Sequence, residues 1–231
     1  MHAEQLIELL NIRPGLTAII GGGGKTTLLY ALAETLKNRG SVIVATSAKI
    51  RRPEHLPVAD PATPEALQAA LQTASPLCLG SPWPEGKLAA PTLPFGALVR
   101  AADYVLVEAD GSKGLPAKAH APHEPPIPAE AERVILVLGA DAFGQPIARV
   151  CHRPELFAQR AGTSPDALLT PALWARVIQS EGYGNTIYVN KCETPAQWAD
   201  AETLASLLPQ PVVAGSLRRW GIHNAECIMH N

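Results

Sequence analysis

The chain has 231 residues, 47% of them apolar, and a formal net charge of −2. That is enough apolar material for one sizeable α/β unit spanning residues 1–231, with room for a small irregular insert near residues 76–100. The near-neutral charge excludes a broad cationic footprint for nucleic acid or for an anionic membrane.

Read in chain order, residues 4–10 form a short amphipathic helix that Arg13-Pro14-Gly15 turns into a strand at Leu16–Ile20. That strand is apolar throughout, as burial on both faces requires. Residues 26–38 follow as a helix, with apolar positions Leu28, Leu29, Leu32, Ala33 and Leu36 at 3/4 spacing. A second buried strand, SVIVA, occupies residues 41–45, so the opening is β–loop–α–β with a right-handed parallel crossover. Residues 64–73 read as a helix, 76–79 as a strand and 80–95 as a loop or small hairpin. Residues 104–108 (YVLVE) form a buried strand ending in an acid, and 110–128 a long Pro- and His-containing excursion. Then come a strand at 134–139, helices near 154–161 and 171–179, a strand at 186–190, a helix at 195–208 and a strand at 211–214. Strands alternating with helices predict a doubly wound, mostly parallel sheet with helices on both faces.

The stretch IIGGGGKTT, ending at Thr27, carries the first chemistry. Ligands of such sheets bind at the carboxyl ends of the strands, where Gly21, Gly22, Gly23 and Gly24 fall. Glycines let successive amides converge on an anion, and the following helix aims its own N-terminal amides at the same point. Lys25 is the candidate for β/γ-phosphate oxygens and Thr26 for a Mg²⁺ ligand, with Thr27 completing the cradle. The spacing departs from G-x-x-x-x-G-K-[ST], because Ile19 stands where the first glycine belongs. The loop resembles those of ATPases and GTPases of the metal-insertion and signal-recognition class, and also the shorter loops of amide ligases. A glycine-rich corner without a ligand is the plain alternative.

Glu108 and Asp110 lie at and just past the end of a buried strand. A carboxylate there holds Mg²⁺ and orients an attacking water. On extended chain, residues i and i+2 point the same way, so both acids are expected at the metal and both are catalytic candidates beside Lys25. Lys113 and Lys118 follow as candidates for phosphates or an anionic substrate. Farther on, Asn190-Lys191-Cys192-Glu193 follows a buried strand. It resembles the N-K-x-D element with which GTPases read guanine, with Glu193 one methylene longer than the usual acid. Paired hydrogen bonds of this kind discriminate strongly between bases. The plain alternative is a polar turn in which Glu193 or Thr194 caps the helix opening at Pro195.

His120 and His123 precede Glu124, and Cys151, His152, Arg153 and Glu155 form a second group. Their spacing fits no standard zinc pattern. An ordered loop set contacting a second substrate or partner is the better reading, with Arg153 suited to an anion. Thr46, Lys49, Lys113, His123 and Arg153 are the candidates for coupling or substrate contact. The remaining cysteines, Cys78, Cys192 and Cys227, form no C-x-x-C pair, so a reducing cytoplasm is expected. The opening fifteen residues lack a basic start and a long apolar run, so no signal peptide is expected.

GGGGKTT, TSAKI (46–50), VEADGSKGLP (107–116), APHEP (121–125), LGADAFGQP (138–146), HRPELF (152–157) and VNKCE (189–193) together resemble the YqeC-type family, described as selenium-dependent hydroxylase accessory proteins. The likeness extends over residues 16–217. It implies a cytoplasmic P-loop NTPase-like protein, with GTP or ATP and Mg²⁺ as its cofactors. Its implied partner is a molybdenum hydroxylase or the machinery that loads its cofactor. A kinase or ligase acting on a small acceptor, and a carrier that binds nucleotide without turnover, remain as alternatives.

Overall fold

Burial, rather than propensity, decides where the chain becomes strand. The structure, a computed structural model, describes residues 3–218 and 221–228, with side chains from residue 4 to residue 217. Helix α1 (Ala3–Leu9) leads to β1 (Gly15–Gly21), α2 (Lys25–Leu36) and β2 (Val42–Thr46). Two short strands, β3 (Ile50–Arg51) and β4 (Val58–Ala59), precede α3 (Pro64–Thr73) and β5 (Leu77–Leu79). A hairpin of β6 (Ser81–Trp83) and β7 (Lys87–Ala89) leads to α4 (Phe95–Ala101) and β8 (Tyr104–Glu108). Next come β9 (Ala117–Lys118), β10 (Ala131–Gly139), α5 (Ile147–Val150), β11 (Cys151–His152), α6 (Pro154–Ala161) and α7 (Pro171–Glu181). The chain continues through β12 (Thr186–Asn190), α8 (Pro195–Ser206), β13 (Val212–Arg218) and β14 (Gly221–Ile228).

Nine strands form the central sheet in the order β14-β13-β12-β10-β1-β8-β2-β5-β4. Every pairing is parallel except β13 with β14. This is the doubly wound α/β architecture of P-loop NTPase-like proteins. Alternation along β1 shows why its run is continuously apolar: Leu16, Ala18 and Ile20 enter one apolar layer, while Ile19 enters the other with α1 and α2. Strand β8 lies between β1 and β2, with Glu108 opposite Ile19 on one side and Thr46 on the other. The end of β8 is therefore brought beside the start of α2.

Strands β1, β2, β8 and β12 stand within a residue of the expected ranges, whereas β10 starts three residues earlier than expected, β13 runs four residues further, and β14 was not expected. The short elements β3, β4, β9, β11, α4 and α5 were not anticipated, because pieces of two to seven residues carry too little periodicity. The 80–95 stretch is a hairpin joined by β3 into a small separate sheet. The excursion at 110–128 is tied down by β9, which pairs with β11. Cys78, Cys151 and Cys192 are free and buried; the side chain of Cys227 lies outside the described residues. Among the described residues no helix is long and apolar enough to cross a membrane.

Candidate nucleotide site

The glycine loop is built by close backbone approach. Gly23 has φ 79° and Gly24 φ 126°, and a methyl on either would come within 2.3 Å of the Gly139 amide nitrogen or of Asn190 Nδ2. Alanine fits neither position. The amide of Gly22 donates to Val137 O and that of Gly23 to Leu115 O. Helix α2 then starts at Lys25 with no side-chain cap on its first turn, so its amides and partial positive charge face outward.

Lys25 is buried and folds back on the loop, donating to Gly21 O at 2.7 Å. Its ammonium lies 3.2 Å from Asp110 Oδ1 and 3.7 Å from Glu108 Oε1. Thr26 Oγ1 donates to Glu108 Oε2 at 2.7 Å. A threonine hydroxyl and a carboxylate oxygen at the start of α2 thus sit together, a hard oxygen pair of the kind Mg²⁺ takes alongside phosphates and water. Burial pushes the Glu108 carboxyl up, against the downward pull of Lys25 and Thr26.

Asp110 departs from expectation. Its Oδ2 accepts from the Gly21 amide at 2.9 Å, lies 2.8 Å from His120 Nε2 and lies 3.2 Å from Lys118 Nζ. Burial opposes its ionisation, yet the bond to His120 with Lys25 and Lys118 outweighs it and holds the carboxyl far below the usual range. It turns inward behind the loop, because the chain leaves extended geometry after Glu108 and the i, i+2 rule stops applying. Asp110 is absent from the cavity wall, and Glu108 is the carboxylate that lines it. Lys118 is corrected in the same way: it is buried between Asp110, Glu124 and the Gly111 carbonyl.

The second turn is organised by Asn190. Its Nδ2 donates to Gly23 O at 2.8 Å and its Oδ1 accepts from the Leu217 amide at 3.0 Å, which ties the glycine loop to β13. Lys191 lines the cavity and pairs with Asp141 at 2.6 Å. Glu193 is exposed, and its Oε1 accepts from Ser216 Oγ at 2.9 Å. Thr194, rather than Glu193, caps α8, in a reciprocal box with Gln197. Burial pushes the Cys192 thiol up to about 12.

His120 is held by Asp110 on one nitrogen and Glu181 on the other, at 2.8 and 2.6 Å. Burial disfavours its charge, but the two carboxylates prevail and raise its pKa. An imidazolium donating from both nitrogens is the form that satisfies two acceptor-only neighbours. Arg160 completes this chain through its ion pair to Glu181. His123 is exposed on the surface. Arg153 pairs with Glu124 at 2.9 Å. Burial and the nearby Arg153 lower the pKa of His152, and burial pushes the Cys151 thiol up to about 12. Among the described residues no group of three or more His, Cys, Asp or Glu side chains is arranged to hold a metal. Thr46 is buried and structural, donating to Glu108 O and accepting from the Ala48 amide.

A cavity of about 400 Å³ opens over the loop, a size suited to a small-molecule ligand. Lys49 and Lys113 line it, as do Arg51 and the neighbours of Lys113 (Gly111, Ser112 and Gly114), none of which the sequence marks individually. Arg51 stands two positions after Lys49 in a short strand too brief to show which way its side chain faces. Nor does any local pattern announce Glu181, Arg160, Asp141 or Ser216, because their partners are distant in sequence.

The family model described as YqeC protein matches residues 17–155. The chain belongs to the YqeC family. It is also similar to the uncharacterized protein YqeC of Escherichia coli (strain K12), at 38% identity over 166 residues, covering 68% of this chain and 64% of that relative. The match thus spans less than two thirds of the relative's length. The stretch matched to the YqeC family holds the glycine loop, Glu108, Asp110, His120 and Arg153, whereas Asn190–Glu193 lies beyond it.

Proposed function

We propose that this protein binds and hydrolyses a Mg²⁺–nucleoside triphosphate, GTP in preference to ATP. Its wider role, on this reading, is as an accessory in maturing a selenium-dependent molybdenum hydroxylase in the cytoplasm. The observation that carries the nucleotide reading is the 2.7 Å contact between Thr26 and Glu108 at the uncapped start of α2, with Lys25 beside it. Gly21–Gly24 and the first-turn amides through Thr27 receive the phosphates, and Lys25 swings from Gly21 O to the β/γ oxygens. Thr26 and Glu108 hold Mg²⁺, which when bound neutralises charge on the β- and γ-phosphates. Asp110 positions Lys25 and the Gly21 amide from behind. Glu108, as the carboxylate on the cavity wall, orients the attacking water. Catalysis on this plan is positioning and charge stabilisation.

The preference for GTP is supported by Lys191 at the cavity wall, and it assigns the base-reading carboxylate to Glu193, which is exposed beside Lys191, is held by Ser216 and does not line the cavity itself. Calorimetry with GTP, ATP and CTP in Mg²⁺ tests it, repeated on Glu193→Asp and Glu193→Ala. GTP binds the wild type most tightly and loses that advantage by about tenfold or more in Glu193→Ala. An unchanged base preference in both variants removes Asn190–Glu193 from base recognition. The maturation role rests on family likeness. It is tested by whether an immature molybdenum hydroxylase stimulates nucleotide turnover.

A further inference from the structure

The cavity over the glycine loop carries positive charge that the function proposed above does not use. Lys25, Lys49, Arg51, Lys113 and Lys191 line it against the single carboxylate of Glu108. Lys25 is answered by Asp110 and Lys191 by Asp141. Among the described residues no carboxylate forms an ion pair with Lys49, Arg51 or Lys113. Like charges brought into one cavity repel unless an anion joins them.

Their position in the sheet says where that anion lies. Lys191 follows β12, on one side of β1; Lys49 and Arg51 follow β2, and Lys113 follows β8, on the other side. A nucleotide lying with its phosphates on the loop and its base toward Lys191 points its terminal phosphate at these three cations. Lys49 is braced there, its ammonium 3.7 Å from the centre of the Trp83 ring, a tryptophan 44% exposed on the β6–β7 hairpin. In the loop after β8, Lys113 and Gly114 take left-handed φ of 54° and 78°, and the amides of Gly111–Gly114 make no backbone bond among the described residues. Successive open amides of this kind form an anion-binding concavity.

We propose that Lys49, Arg51, Lys113 and the Gly111–Gly114 amides form a second subsite, beyond the terminal phosphate, for a small molecule bearing a phosphomonoester. This rests on the nucleotide occupying the glycine loop as read above. Three cations and a set of amides match a dianionic phosphate better than a singly charged carboxylate. The exposed indole of Trp83 at the rim offers contact to the organic part of the ester.

The test saturates the protein with Mg²⁺ and a non-hydrolysable GTP analogue, then titrates phenyl phosphate and, separately, inorganic phosphate by calorimetry. Phenyl phosphate binds the nucleotide-loaded wild type, and binds about tenfold or more weakly to Arg51→Ala and Lys113→Ala. Affinity for the analogue in those variants changes less than about threefold, the size of an exposed charge effect. Failure of phenyl phosphate to bind the loaded protein overturns the proposal. So does binding of inorganic phosphate alone, which makes the subsite an exit for released product, or an equal loss of analogue affinity, which makes the cations part of the nucleotide site. Should no nucleotide bind at all, the function proposed above falls, and the nucleotide-free protein decides this one. Phenyl phosphate binding lost in Lys113→Ala but kept in Lys25→Ala supports the subsite, and any other pattern overturns it.

Discussion

Two strand-to-helix turns meet at the carboxyl edge of the sheet, joined by the bond from Asn190 Nδ2 to Gly23 O, and they treat their helix amides in opposite ways. After β12, Pro195 occupies the first turn of α8, Thr194 accepts from the Gln197 amide, and the Gln197 side chain answers the Thr194 amide. After β1, α2 begins on Gly24 with no proline and no side-chain cap. Open helix amides are costly unless something accepts from them. The β12 turn is finished by its own sequence and serves as scaffold for Lys191 and Glu193. The β1 turn leaves its amides to water or to a ligand. On the function proposed above, the β1 turn is shaped around an anion, whereas the β12 turn only redirects the chain.

The largest break in that contrast comes from Gly24→Ala. Its φ of 126° and the 2.3 Å approach of Asn190 Nδ2 to an added methyl leave no room for a side chain. Strain and clash cost about 2 kcal/mol or more in folding stability. Nucleotide affinity falls by roughly 100-fold as the amides lose register. Melting curves and calorimetry read the two effects, and wild-type affinity in this variant removes the loop from nucleotide binding.

The next effect lies behind the loop. His120→Gln leaves Asp110 and Glu181 facing each other without the imidazolium between them, a loss of about 3 kcal/mol. The sign of its pH dependence follows from the raised pKa of His120. The stabilisation is fully present below the unfolded value, near 6.5, and disappears as pH rises through the higher folded value. Asp110 behaves in the opposite sense: with its folded pKa lowered, its contribution is present above 3.8 and is lost in stronger acid. Denaturant unfolding of wild type and His120→Gln therefore shows its widest gap between about pH 4 and 6.5, and a narrower one in alkali. A gap that is flat or widens toward high pH contradicts an imidazolium bridge.

Glu108→Gln sharpens the ligand side. The amide keeps the size of the side chain and a bond to Thr26 but removes the charge, so Mg²⁺ dependence of nucleotide binding weakens by about tenfold or more. Because burial already disfavours the Glu108 carboxylate, the metal-free variant folds as well as wild type or slightly better. A variant whose nucleotide affinity answers Mg²⁺ like wild type rules Glu108 out as a ligand.

What the sequence made legible follows the same division. Buried parallel strands announce themselves as apolar runs, so β1, β2, β8 and β12 were readable to within a residue or two. Glycine-lysine-threonine after such a run marks, from local chemistry, the turn that lines the cavity and is proposed to face an anion. Asp110 could not be placed, because its orientation depends on His120, Lys118 and the Gly21 amide, groups assembled only by the fold. The same holds for Lys118, a candidate for phosphates or an anionic substrate in the sequence, which is buried between two carboxylates. Arg51 was missed because a strand of two residues has no period from which to infer its face.

The smallest effect tests the finished turn. Thr194→Ala removes one half of the capping box of α8 and leaves the Gln197 amide without its side-chain partner, at a cost of about 1 kcal/mol. Pro195 still fixes the first helical residue, and Asn190 still holds Gly23 from the preceding strand. Nucleotide affinity therefore stays within about twofold of wild type, the range of a surface change remote from the ligand. If Thr194→Ala lowers nucleotide affinity as strongly as it lowers stability, the β12 turn moves with the loop as one unit. The cap would then act on the ligand site through Asn190, and the division between a self-satisfied turn and a ligand-satisfied turn would have to be redrawn around that asparagine.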